Sequence, residues 1–185
     1  MTDKEKRQAV LAICQKYVGT VEGPGSNNVF FNTRFYGVEV KDGFDLKGKP
    51  DKTKTYQWCF TSVSEIFIEA GFPLGNIGWK RGAAGVPYAM GKMKDWGTII
   101  PYSNVQPGDI VLMDFKMDNK WDHVGILKSA GGVMEIYEGN TSSDDSGHQS
   151  NGGEYCLKRR AFKNINYMFV CPHAYDRDQN FKLKK

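Results

Sequence analysis

The sequence predicts an α+β domain in which helices come first and pack on an antiparallel sheet that follows. Apolar residues recur at helical spacing in the first half of the chain, whereas the second half carries five runs rich in Val, Ile, Tyr and Phe. The turns Asp118-Asn119 and Ala130-Gly131-Gly132 are short enough to join antiparallel neighbours as hairpins.

Taken in order, residues 4–18 form the first expected helix, because Val10, Ile13, Cys14 and Tyr17 share a face and Gly19 stops it. From Glu22 to Thr55 the chain is broken by Pro24, Gly25, Asn27, Asn28, Gly37, Gly43, Gly48 and Pro50, a long irregular connection of the functional kind. Val63, Ile66, Phe67 and Ala70 then place a core helix over 59–70, closed by Gly71-Phe72-Pro73. Val86, Met90, Met93 and Trp96 place another over 85–96, with Pro87 tolerated in its first turn. Strands are expected at 109–115, 122–129, 132–138, 154–160 and 166–171, as a meander of hairpins.

A chain of 185 residues with 40% hydrophobic content, 25% charged content and 21 glycines suits a single turn-rich globular domain over 1–185. A net charge of +4, from 25 basic and 21 acidic side chains, is too mild and scattered for a nucleic-acid track. Lys158-Arg159-Arg160 and the tail Phe181-Lys182-Leu183-Lys184-Lys185 are the local exceptions, and the balance suits weak attraction to an anionic polymer. No run of apolar residues is long enough to span a membrane, and Met1-Thr2-Asp3-Lys4-Glu5-Lys6-Arg7-Gln8 lacks the apolar stretch of a secretory signal. Neither membrane insertion nor an export signal is expected. Cys14, Cys156 and Cys171 are expected to be small buried hydrophobes, since no Cys-x-x-Cys pair is present.

Cys59 differs from the other three. It opens the helix expected at 59–70, where first-turn amides favour negative charge at sulfur and face any oxyanion developing beside it. His123 follows 64 residues later in Asp122-His123-Val124-Gly125-Ile126, and Glu138 and Asn140 stand one hairpin further on. Their spacing of two puts both on one face if the strand continues, so that either can accept the far ring N–H of His123. A thiol, an imidazole and an orienting polar group are the parts of a cysteine hydrolase. The bland alternative makes Cys59 a core cysteine above Val63 and Ile66, and His123 a histidine satisfied by backbone.

Trp58-Cys59 with Val63-Ser64 and Ala70-Gly71, Pro107-Gly108-Asp109-Ile110-Val111, Asp122-His123-Val124-Gly125-Ile126 and Glu138-Gly139-Asn140-Thr141 together resemble the CHAP family of cysteine, histidine-dependent amidohydrolases and peptidases. The resemblance runs over about 8–172, which leaves 173–185 as a basic tail. Glu22-Gly23-Pro24-Gly25-Ser26-Asn27, Asn32, Phe35-Tyr36-Gly37 and Ser150-Asn151-Gly152-Gly153 are similar to segments of members that cut peptidoglycan. The resemblance implies a papain-like α+β fold with Cys59 as nucleophile and His123 as general base and then acid. It also implies Glu138 as the orienting group and Asn140 as a supporting polar residue. Two departures stand out: Ser62 where many members carry an aromatic residue, and a longer segment from Val38 to Lys54.

The implied activity is that of a phage endolysin-like peptidoglycan hydrolase working as a monomer. It is made in the host bacterial cytoplasm and released through a membrane hole that another protein forms. A silent wall-binding domain and a cysteine protease or amidase on another substrate are the alternatives. Trp58 and Trp121, next to the proposed catalytic residues, are candidates to line the cleft; Tyr137 and Trp79 are the remaining groove aromatics, Trp79 unassigned. No cofactor is required. Some family members hold calcium, for which Asp42, Asp45 and Asp51 are the available carboxylates, although their spacing matches no EF-hand loop. A zinc site from His123, His148 and His173 is the rival chemistry, and neither spacing nor flanking residues support it.

Overall fold

The computed structural model describes residues 1–24, 26–144, 149 and 152–176. Helix α1 (Asp3–Tyr17) starts with a capping box in which the Thr2 hydroxyl accepts the Glu5 N–H and the Glu5 carboxylate accepts the Thr2 N–H. A two-residue strand, β1 (Thr20–Val21), follows.

The connection after it is less irregular than its composition suggests. Phe30–Tyr36 form helix α2, closed by Gly37 in the left-handed region at φ 75°. Glycine and asparagine punctuate the chain on both sides, yet Phe31 and Phe35, one turn apart, bury their rings and stabilise the short helix. Asn32, fully buried beside them, donates to the carbonyls of Asn27 (2.9 Å) and Tyr56 (2.6 Å) and accepts from Thr61 (2.7 Å). One amide thus ties both ends of the connection to the next helix.

Helix α3 (Cys59–Glu69) is buried from Cys59 to Phe67. The single helix expected over 85–96 is instead two pieces, α4 (Val86–Gly91) and α5 (Met93–Trp96), broken where Lys92 leaves the helical region. Gly91, a poor helix former, sits at the break, and the Trp96 indole donates across it to the Ala89 carbonyl at 2.8 Å.

Six further strands complete the sheet: β2 (Gly97–Ile100), β3 (Ile110–Asp114), β4 (His123–Ser129), β5 (Val133–Thr141), β6 (Glu154–Ala161) and β7 (Asn166–Pro172). The order is β1-β6-β5-β4-β3-β7-β2, and every pair is antiparallel. The expected meander therefore covers β3 to β6 only. Strand β7 crosses back to pair with β3, for example Ile110 with Val170, because β1 already occupies the outer edge of β6. Strand β2, which lies outside the five expected runs, closes the far edge.

The main core lies between the helices and one sheet face, where Val10, Cys14, Phe60, Ile66 and Phe67 meet Ile110, Leu112, Val124 and Ile126. Alternate residues, Val111, Met113, Leu127 and Ile136, face a smaller cluster on the other side. The central strands are thus buried on both faces. Arg7 on α1 pairs with buried Asp109 at 2.6 Å, and Tyr175 donates to the Gly108 carbonyl at 2.6 Å. Pro107-Gly108-Asp109 is therefore a structural joint, with Gly108 at φ 93°. Among the described residues no helix is long and apolar enough to cross a membrane.

Candidate active site

Cys59 is the first residue of α3 and His123 the first of β4, so both come from element ends that meet at one rim of the sheet. The helix can come this close because Gly139, between Glu138 and Asn140, has no side chain. A Cβ there would lie 2.5 Å from the Ser62 hydroxyl and 2.8 Å from the Trp58 ring. Ser62, the small residue in place of an aromatic, fills this contact and donates to the Cys59 carbonyl at 2.8 Å.

His123 is fully buried and its Nε2 lies 3.1 Å from Glu138 Oε2. Gly125 makes that approach possible: it pairs with Glu138 across the strands, and a Cβ there would fall 2.9 Å from Glu138 Cγ. The other ring nitrogen, Nδ1, makes no hydrogen bond of ordinary length and is left for the Cys59 side, since the thiol lies near enough to influence the ring's titration. Burial opposes charge on the imidazole, but the Cys59 thiol and Glu138 outweigh it and carry the pKa up to about 9.

Arg160 on β6 is the functional residue that sequence reasoning missed. Its Nε donates to Glu138 Oε1 at 2.9 Å and its Nη2 to Oε2 at 2.7 Å, with both side chains out of solvent. Burial pushes the Glu138 carboxyl upward, yet His123 and Arg160 hold it below the usual carboxylate range. The sequence signal was available in parity: Cys156, Lys158 and Arg160 alternate along β6, and Cys156 pairs with Glu138. The apparent basic cluster Lys158-Arg159-Arg160 accordingly contains two buried members, and only Arg159 is exposed.

Asn140 does not stand beside Glu138 in regular strand geometry. The β5–β6 register shifts between Glu138 and Thr141, and Asn140 sits in the left-handed region at φ 59°. This bulge re-aims Asn140 and removes the premise of a continuing strand. The carboxylate that meets the imidazole is that of Glu138.

Trp58 is fully buried, stacks on Phe31 at 5.8 Å and donates its indole N–H to Glu22 at 2.7 Å. It offers no face to a ligand, which corrects its assignment to the cleft. Tyr137 is likewise buried and donates to Gln15. Trp121 remains half-buried against the main core, two residues before His123. Trp79, unassigned in the sequence, is exposed and lines a cleft of about 650 Å³ together with Gln57.

Of the three candidate calcium carboxylates, Asp45 and Asp51 cap local turns and Asp42 joins distant parts of the connection. Asp42 accepts from Asn27 and the Tyr56 amide, Asp45 from the amides of Lys47 and Lys49, and Asp51 from Thr53. They form no shared donor set for a hard cation, and no group of three or more His, Cys, Asp or Glu among the described residues is placed to hold a metal ion. His173 interacts with Thr98 at the far edge of the sheet. Tyr167 neighbours Met113, which faces His123, so His173 lies six residues, about 20 Å of strand, away. Gly25, His148, Ser150, Asn151 and 177–185 lie outside the described residues.

The remaining cysteines are free, as Cys59 is. Burial pushes the Cys14 thiol up to about 12 and that of Cys156 to about 11, which makes both poor nucleophiles.

A helix-start thiol beside a buried imidazole, oriented by a carboxylate, defines the class of thiol hydrolases. Residues 51–140 match the family model described as the CHAP domain. Over that stretch the chain is similar to a cysteine- and histidine-dependent hydrolase module of the amidase and peptidase type, and its own fold is α+β with a seven-stranded antiparallel sheet. The match includes Cys59, His123, Glu138 and Asn140 and is shorter than the stretch over which the resemblance was read; Arg160 lies beyond it. A search of the curated proteins finds no match.

Proposed function

We propose that the protein hydrolyses an amide bond of bacterial peptidoglycan, as N-acetylmuramoyl-L-alanine amidase or endopeptidase, in the manner of a phage endolysin. The observation that carries this reading is the Cys59–His123–Glu138 constellation inside a CHAP match. Cys59 sulfur attacks the amide carbonyl while first-turn amides of α3, which lack intrahelical acceptors, face the developing oxyanion. The C–N bond breaks as imidazolium gives its proton to the leaving amine, and a thioester remains. Water then attacks, His123 takes its proton, and hydrolysis frees the acid and the thiol. Glu138 holds the ring tautomer throughout. No metal takes part in these steps. The protein acts as a monomer at the wall, after synthesis in the host cytoplasm and release through a hole formed by another protein.

The test is clearing of purified Gram-positive peptidoglycan by wild type, Cys59→Ala and His123→Ala, with mass spectrometry of the fragments. Clearing by wild type alone is expected, and full activity in Cys59→Ala would overturn the thiol mechanism. The near-complete burial of Cys59, 2% exposed, favours a second reading as a silent wall-binding domain. Wall binding without clearing, unchanged by alkylation of Cys59, would establish that alternative.

A further inference from the structure

The cleft of about 650 Å³ has two walls of different origin. The long connection contributes Lys47, Lys54 and Tyr56, whereas Tyr88 comes from α4 and Trp79 from the loop before it. Gln57 lines it as well and precedes Cys59 by two residues, at most about 7 Å of extended chain. The cleft therefore runs up to the segment that leads into α3, although Cys59 and His123 themselves do not line it.

Its chemistry is specific. Trp79 is 37% exposed and Tyr88 61%, large aromatic surfaces left open in a chain that buries Trp58 and Trp96 completely. Tyr36 stands edge-on to Trp79 at 5.1 Å and to the buried Tyr56 at 5.3 Å, so Tyr56 backs the aromatic surface that Tyr36 and Trp79 present. Among the described residues no carboxylate forms an ion pair with Lys47 or Lys54. Asp45, the carboxylate lining the same cleft, already accepts two backbone amides. Two ammonium groups outside any ion pair, Lys54 with Asp51 within electrostatic reach, line the same cleft as the aromatic surface and fit a peptide of small residues that carries free carboxylates.

We propose that this cleft is the subsite for the acidic stem peptide of the wall, with Lys47 and Lys54 holding its carboxylates and Trp79 and Tyr88 supporting its methyl and amide groups. The proposal rests on the reading of the protein as a wall amide hydrolase. A neutral glycan strand would gain nothing from the lysines, and an anionic phosphate polymer would have no need of the aromatic surface.

The experiment compares two muramoyl stem peptides, one with free carboxylates and one with those groups amidated, as substrates for wild type, the Lys47→Gln/Lys54→Gln double variant and Tyr88→Ala. For the free-carboxylate peptide the double variant is expected to raise KM about three- to tenfold with kcat nearly unchanged, as loss of two exposed ion pairs implies. For the amidated peptide it should match wild type, while Tyr88→Ala should raise KM for both. An unchanged KM in the double variant, or an equal loss on both peptides, would overturn the subsite while wild-type cleavage left the hydrolase reading standing. Failure of wild type to cleave any wall peptide, with no binding of either peptide to Cys59→Ala protein, would remove both.

Discussion

Glu138 has no access to solvent, and an isolated carboxylate in that position would take up a proton. Two bonds from Arg160 keep it charged, and together with Cys59 its charge keeps His123 protonated up to about 9. Arg160→Gln should therefore lower kcat/KM by loosening the carboxylate that orients His123, with Arg160→Lys falling between, because Lys offers no two-pronged partner. Glu138→Gln should cost on the order of 10²-fold, less than Cys59→Ala or His123→Ala. The same shift has a stability consequence. The folded His123 pKa lies above its ordinary 6.5, so its stabilising contribution is complete below 6.5 and disappears as pH rises through about 9. Melting temperatures of wild type and His123→Ala should converge over that window. For Glu138, whose pKa is lowered, the contribution is present above about 4.5 and disappears as pH falls through the folded value.

At the scale of elements, Gly139 sets the distance between α3 and the sheet, and Gly125 sets the packing of β4 on β5. Gly125→Ala places a methyl against Glu138 Cγ and the Tyr137 carbonyl, and Gly139→Ala places one against Ser62 and Trp58. Both are expected to lower activity more than stability, by displacing Glu138 from His123 in one case and Cys59 from His123 in the other. Paired activity assays and thermal melts check this. The helix around Cys59 and the strand starting at His123 were legible in sequence, because apolar spacing and β-rich composition are local signals. The bulge at Asn140 was not, since it arises from register against β6, and α2 was hidden by the turn residues around it. The site followed the same division. The thiol, the imidazole and the two candidates for the orienting group were visible in order and spacing, whereas Arg160 needed the strand pairing and Trp58 needed the packing.

At the scale of the whole molecule, α1 is held to the sheet by a buried ion pair as well as by apolar contact. Arg7 meets Asp109, and its guanidinium lies 4.4 Å from the Tyr175 ring centroid. Asp109→Ala leaves that cation only the half-exposed Asp3 as an ionic partner and should destabilise the fold by about 3 kcal/mol, measurable by denaturant unfolding. The double replacement Arg7→Met/Asp109→Leu should cost much less, because neither charge is then stranded. Sequence by itself determined the fold class, helices α1 and α3, the succession of strands β3 to β7 and the candidate thiol and imidazole, because these depend on periodicity and side-chain chemistry along the chain. Tertiary structure alone decided that β7 returns to β3, that Arg160 holds Glu138, that Trp58 is buried and that Trp79 lines the cleft. Those facts depend on which distant segments share an edge, a face or a cavity, and local propensity carries no record of such pairings.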